Sequence, residues 1–261
     1  MDLGLKDKVI IVTGGGAGIG AGITRACVAE DAQVVVLSRQ SENVREFMAE
    51  MESAGKRCEL IEAHLEDTAR CKEAIAEVEE RFGSIYGLVN NAGVNDGAGL
   101  ESGSVEKFVQ SLEKNLIHTY ALAHYALPAL KHSHGSIVNI SSKVALTGQG
   151  GTSGYAASKG AQLALTREWA AELLPYNIRV NAVLPAEVMT PLYRRWLDSL
   201  GDPEERLKQI TDKIPLGHRM TLAAEIAAAT VFLLSPTQSG HTTGQHLIVD
   251  GGYVHLDRAL T

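Results

Sequence analysis

Lys8-Val-Ile-Ile-Val12-Thr13-Gly14-Gly15-Gly16-Ala17-Gly18-Ile19-Gly20 is the stretch on which the fold turns. Val9 to Val12 is a short continuous apolar run, and its halt at Thr13 and three successive glycines predicts a strand buried on both faces. From Ile19 to Glu30 the apolar residues recur at helical spacing. Strand, glycine turn and helix in direct succession open a β-α-β unit and set a helix N-terminus at the carboxyl end of a strand. Glycine lets the backbone come close to a pyrophosphate, and the free N–H groups and positive dipole end of the helix attract it. Gly14, Gly18, Ile19 and Gly20 are therefore the first candidate cofactor-binding residues.

Working outward, further strands are expected at Gln33 to Leu37, Arg57 to Ala63, Tyr86 to Val89, Ser136 to Ile140, Ile178 to Ala182 and Gln245 to Val249. Between them lie helical patterns at 41 to 54, 67 to 82, Val105 to Lys131, Ser153 to Leu174 (capped by Ser153 and ended by Pro175) and Leu222 to Leu234. Strands alternating with helices predict one Rossmann-type α/β domain over residues 1 to 261. Its sheet is doubly wound, seven-stranded and mostly parallel, with helices on both faces and ligand at the carboxyl ends of the strands. The second strand ends in Ser38-Arg39, where an acid would hold a ribose 2′-hydroxyl. There is none, and the Arg39 guanidinium suits a 2′-phosphate instead. This favours NADP modestly over NAD.

The formal charge of −7 argues against a nucleic-acid surface. Three cysteines, Cys27, Cys58 and Cys71, show no metal-ligand spacing and suit a reducing compartment. No signal-peptide core and no span of 18 apolar residues is present, so a soluble cytoplasmic protein is expected, with no membrane partner.

A second constellation carries chemistry: Ser142, then Tyr155 thirteen residues on, then Lys159 four residues after that. Residues four apart share a helix face, so Lys159 stacks one turn from Tyr155. An ammonium beside a phenol favours the phenolate and is expected to lower its pKa from about 10, giving a usable proton carrier.

The glycine turn T-G-x-x-x-G-x-G, the run Asn90-Asn91-Ala92-Gly93, and Ser142 with Tyr155-x-x-x-Lys159, all in this order, resemble the short-chain dehydrogenase/reductase family over nearly the whole chain. The resemblance implies an NAD(P)-dependent enzyme acting on a CH–OH group. It makes Tyr155 the proton carrier, Lys159 its partner and the holder of the nicotinamide ribose, Ser142 the ligand of the substrate oxygen, and Asn115 the link from Lys159 to solvent through a water. A helix irregularity at Asn115 would free its carbonyl for that water. The resemblance also brings Leu65 to the adenine, Asn91, Ala92 and Gly93 beneath the ribose, and Val188 and Thr190 to the cofactor. It makes residues 190 to 214 a substrate lid. The helices from 105 to 131 and 153 to 174 resemble the family's dimer faces, and a homotetramer follows, with Tyr253 to Leu260 reaching toward a neighbour's site.

Several polar residues adjoin these elements: Asn95, Lys143, Gln149 and Glu187, with Trp196 in the lid. Burying such groups is costly unless a partner supplies hydrogen bonds, and a polyhydroxylated ligand supplies them. The runs at 93 to 96, 141 to 150, 185 to 193 and 251 to 261 also resemble the bacterial L-fucose dehydrogenase branch of the family. That resemblance implies oxidation of a sugar at its anomeric carbon to the lactone. The alternatives are a ketone or 3-oxoacyl thioester reductase and a non-catalytic NAD(P)-sensing protein.

Overall fold

The computed structural model describes residues 2–256. Its strands are β1 (Val9–Thr13), β2 (Gln33–Ser38), β3 (Cys58–Glu62), β4 (Gly87–Asn90), β5 (Ser136–Ile140), β6 (Arg179–Pro185) and β7 (His246–Val249). They form one seven-stranded sheet in the order β3-β2-β1-β4-β5-β6-β7, every neighbouring pair parallel. Parallel neighbours require crossovers. These are supplied by α1 (Gly18–Ala29), α2 (Glu42–Ser53), α3 (Thr68–Phe82), α4 (Val105–Leu112), α5 (His118–Ser133), α6 (Ser153–Glu172) and, after α7 (Pro191–Asp198) and α8 (Pro203–Thr211), by α9 (Ala223–Leu234).

Successive strand residues point to opposite faces, and both faces are covered. Val9, Ile11, Val35 and Leu37 pack with Val78 of α3, Leu130 of α5 and Trp169 of α6. Ile10, Val12, Val34 and Val36 pack with Ile23 and Cys27 of α1 and Ile226 and Val231 of α9. This two-sided burial is why the strand sequences are continuously apolar rather than alternating. The chain winds from β1 outward to β3, then returns to β4 on the other side of β1. The reversal opens a crevice at the carboxyl ends of β1 and β4, where the glycine turn and the 90 to 93 turn lie.

Three expectations need correction. The sixth strand runs on to Pro185, because Val183 and Leu184 pair with Leu247 and Ile248; a proline discourages extending a strand toward it, yet Pro185 takes the last position. The helix expected from Val105 to Lys131 is three segments, α4, a π-helical turn at Glu113–Ile117, and α5. Ser153 does not cap α6: Thr152 holds that position without a side-chain cap bond, and Ser153 is the first helical residue.

Candidate active site

The β1–α1 turn is shaped by what its residues lack. Gly14 and Gly18 adopt left-handed backbone, with φ of 63° and 53°. A Cβ on Gly20 would overlap the Gly14 carbonyl oxygen and fall 2.6 Å from Asn91 Nδ2. Thr13 Oγ1 accepts hydrogen bonds from the Asn91 and Ala92 backbone N–H groups, each at 2.9 Å, and Asn91 Nδ2 donates to the Thr13 carbonyl at 2.9 Å. The turns after β1 and β4 are thereby locked together. At the start of α1 the cap residue, Ala17, has no side-chain acceptor for the first-turn N–H groups. Backbone cradle and helix N-terminus together fit the pyrophosphate of a dinucleotide.

Around this cradle, Ser38 Oγ donates to the Arg39 carbonyl at 3.1 Å, and Arg39 itself is exposed. Leu65 packs against the core while its neighbour His64 is exposed. Thr190 caps α7 by accepting from the Tyr193 N–H at 3.1 Å, and its side chain would stand 3.3 Å from a Cβ on Gly18. Val188, buried, bridges to Thr221. The loop after β6 thus closes one side of the glycine turn.

Ser142 follows β5 in extended backbone and starts the 3-10 turn Lys143–Ala145, its Oγ accepting from the Val144 N–H at 3.4 Å. Tyr155, in the first turn of α6, faces the Ser142 side chain, whose hydroxyl favours its charged form. Lys159 is 2 % exposed and lies with Nζ 5.6 Å from the Tyr155 ring centre, donating to the Ile140 carbonyl at 2.7 Å. Asn115 sits inside the π-helical turn, with its Oδ1 accepting from the Val94 N–H at 2.7 Å. A Cβ on Gly93 would come within 2.9 Å of that oxygen, so the 90 to 93 turn meets Asn115 as well as the glycine turn.

The expected depression of the Tyr155 pKa is corrected. Burial raises it, and the neighbouring Ser142 hydroxyl offsets the rise only in part. Burial also pushes the Lys159 ammonium down to about 7. Desolvation disfavours whichever form is charged, so it moves the phenol and the amine in opposite directions.

Of the substrate-side residues, the structure joins some and leaves others apart. Lys143 and Glu187 form an ion pair whose side chains are only 10 % and 14 % exposed. Tyr193 donates to the other Glu187 oxygen at 2.8 Å and meets Trp196 edge to face at 5.2 Å, and Lys143 Nζ lies 4.2 Å from the Tyr253 ring centre. Burial and the Glu187 charge raise the Tyr193 pKa, keeping it a donor. Each Glu187 oxygen thus already holds one protein donor, and a ligand hydroxyl would share the carboxylate with Lys143 and Tyr193. Asn95 and Gln149 are exposed and outside this cluster. Asn95 accepts from the Gly97 N–H at 3.4 Å, and Gln149 lines an open cleft of about 380 Å³ formed by residues 144 to 153 and Ala156. The expected tail contact at Tyr253 to Leu260 lies outside the described residues beyond Leu256. Gln162 escaped the sequence reading, though it lies three residues past Lys159 on the same helix face; Tyr193 entered it only within the 190 to 214 lid, and Tyr253 only within the tail.

A family model described as enoyl-(acyl carrier protein) reductase matches residues 14–254. The L-fucose dehydrogenase of Bos taurus is 41% identical over 94% of this chain and 88% of its own. Among solved structures, Cj0485 dehydrogenase is 46% identical with a TM-score of 0.94, covering 100% of this chain and 99% of its own. The aldohexose dehydrogenase of Thermoplasma acidophilum is 31% identical with a TM-score of 0.88, covering 99% and 98%. Likeness of this extent, on a chain that carries the glycine turn and the Ser142, Tyr155 and Lys159 grouping at one end of its sheet, means that the chain belongs to the short-chain dehydrogenase/reductase family of NAD(P)-dependent oxidoreductases.

Proposed function

We propose that this enzyme oxidises a sugar hydroxyl, at the anomeric carbon of L-fucose or a related aldose, to the lactone. The observation that carries the reading is the nearly buried Lys143–Glu187–Tyr193 cluster directly after Ser142 and β6. A pocket for an acyl chain has no use for such a cluster, whereas sugar hydroxyls can satisfy its remaining acceptor and donor capacity. The names of the bovine and archaeal relatives point the same way.

Bound nicotinamide supplies the hydride acceptor. The substrate carbon gives up its hydrogen with the bonding electrons, the hydroxyl proton passes to Tyr155, and the C–O single bond becomes the lactone carbonyl. Ser142, beside Tyr155, orients that hydroxyl, and Lys159 supplies the positive charge that favours the Tyr155 phenolate. Asn115 holds the 90 to 93 turn through the Val94 N–H. In the dinucleotide cradle Gly14, Gly18, Ile19 and Gly20 would hold the pyrophosphate, Asn91, Ala92 and Gly93 the ribose, Leu65 the adenine, and Val188 and Thr190 the nicotinamide end. Arg39 gives NADP a modest advantage over NAD. Residues 190 to 214, with α7 and α8, act as the lid.

Among the described residues no helix is long and apolar enough to cross a membrane. The proposed setting is the cytoplasm. Exposed Val105, Val109, Ile117 and Tyr120 along α4, the π-helical turn and α5 support self-association, to a homotetramer. The deciding experiment is a panel of aldoses, polyols, ketones and 3-oxoacyl thioesters with both cofactors. L-Fucose or a close aldose is expected to give the highest kcat/KM. A preference for thioesters or ketones would replace the reading with a reductase, and no turnover anywhere with a cofactor-sensing protein.

A further inference from the structure

Gln162 lies on α6 three residues past Lys159 and is fully buried, a position a primary amide tolerates only when its groups are paired. Its Oε1 accepts from Lys159 Nζ at 3.2 Å. Its Nε2 donates to the Asn115 backbone oxygen at 3.3 Å and to Thr119 Oγ1 at 3.2 Å. The opposite amide orientation would set an NH₂ group against the ammonium and a carbonyl against a carbonyl, so the partners themselves fix the assignment. The Asn115 carbonyl belongs to the π-helical turn, a register that disturbs the regular helix ladder at that point. From below, the Gln162 backbone oxygen accepts from Thr166 Oγ1 at 2.7 Å, Thr166 from Asn139 Nδ2 at 2.9 Å, and Asn139 from Asn90 Nδ2 at 2.9 Å. A polar spine thus runs from the end of β4 through α6 to Lys159.

We propose that Gln162 is a positioning residue, tying the Lys159 ammonium directly to the Asn115 carbonyl and holding that ammonium in place and charged beside Tyr155. The proposal rests on the reading of Lys159 as the charge partner of Tyr155. Two acceptors meet the Lys159 ammonium, the Ile140 carbonyl and the Gln162 amide oxygen, and no carboxylate pairs with it among the described residues. The titratable groups facing it are Tyr155 from its own helix and His118 from α5; the loop after β5 brings the Ser142 hydroxyl beside Tyr155. His118 is itself driven down to about 4, by burial first, so it is neutral near pH 7. With burial holding Lys159 near 7, a single lost acceptor shifts its charge across the working range of pH.

The test titrates Lys159 through its ¹³Cε-lysine NMR signal in the cofactor-free protein, assigned by its loss in Lys159→Arg. Wild type, Gln162→Met and Gln162→Glu are compared. Methionine keeps the volume and removes both acceptor and donors, so the Lys159 midpoint falls by about one unit. Glutamate keeps an oxygen facing the ammonium and adds charge, so the midpoint rises. Opposite shifts from two substitutions of similar size are beyond a merely structural role. Equal midpoints, or shifts in one direction for both, overturn the proposal.

In turnover, Gln162→Met leaves cofactor affinity within about twofold, and its kcat deficit depends on pH. The deficit is slight near pH 5.5, where both proteins carry the charge, and approaches tenfold above pH 8, because one unit is a factor of ten in charged fraction. A deficit equal at every pH counts against the proposal. If the wild type turns over nothing, the reading of the site fails and the titration alone decides the role of Gln162.

Discussion

The two ends of the crevice are built from opposite materials. At the cofactor end the working surface is backbone: left-handed Gly14 and Gly18, a Gly20 with no room for a side chain, and N–H groups that Thr13 and Ala17 leave arranged or open. At the proposed substrate end it is side chain: Lys143 on Glu187, Tyr193 on Glu187, Lys143 over the Tyr253 ring. A backbone surface tolerates almost no substitution but is indifferent to most of the ligand beyond its phosphates. A surface of paired side chains can be retuned residue by residue, which is how one fold serves many alcohols.

The harshest way to break the comparison is Gly20→Ala. One added methyl meets the Gly14 carbonyl and the Asn91 amide, groups fixed by β1 and β4, so neither can retreat. NAD(P)H affinity, read by fluorescence titration, is expected to fall by about a hundredfold or more, of the order of 3 kcal/mol. Affinity within threefold of wild type would mean that the turn is not the cofactor's seat.

Between the two ends lies the proposed catalytic pair, Tyr155 and Lys159, and its pH dependence sharpens the contrast. The active form needs Tyr155 deprotonated and Lys159 protonated. With Lys159 near 7 and Tyr155 raised above 10, that form carries the same number of protons as the neutral pair that dominates between those values. Its share is therefore constant across that interval and falls tenfold per unit below about pH 7. Oxidation kcat/KM should rise some fiftyfold from pH 5 to 7 and then level off, while Tyr155→Phe is inactive throughout. A rising limb near pH 9 to 10 would show that Lys159 stays charged and that its burial has been misjudged.

What the sequence revealed follows the same division. A glycine turn and a Tyr-x-x-x-Lys spacing are local, written within one turn or one strand-to-helix junction, and both stand where the residues predicted. The Lys143–Glu187 pair joins positions 44 residues apart, and Gln162 finds its partners on the π-helical turn and α5, 47 and 43 residues away. Such pairs depend on how β5, β6 and the helices pack, which no local pattern encodes. The direction of the Tyr155 shift was missed for the same reason, since proximity of charge is visible in spacing and depth of burial is not.

Glu187→Ala probes the side-chain end. Each carboxylate oxygen keeps lone-pair capacity beyond its one protein donor, and a hydrogen bond to a charged acceptor is worth about 1.5 to 3 kcal/mol. The sugar KM should rise roughly tenfold with cofactor KM unchanged. Because the substitution also strands the Lys143 ammonium, Lys143→Met with Glu187→Ala should recover thermal stability relative to Glu187→Ala alone, without recovering the sugar KM. Unchanged sugar kinetics would place the ion pair outside the substrate site.

The smallest effect is expected at Arg39, where the backbone-built end uses a side chain. Arg39 is exposed just past β2, its guanidinium makes no hydrogen bond or ion pair among the described residues, and Ser38-Arg39-Gln40 offers no carboxylate for a ribose 2′-hydroxyl. A 2′-phosphate there would gain a planar pair of donors, but in full solvent, where such pairs contribute on the order of 1 kcal/mol or less. Arg39→Ala should therefore weaken NADPH about fivefold and leave NADH within about 1.5-fold. The wild-type preference for NADPH should also shrink as salt is added, because the Debye length falls from about 10 Å at 0.1 M to about 3 Å at 1 M. Dissociation constants for both reduced cofactors, measured at two ionic strengths, decide it: equal weakening of the two returns Arg39 to the solvent, and the cofactor end to backbone alone.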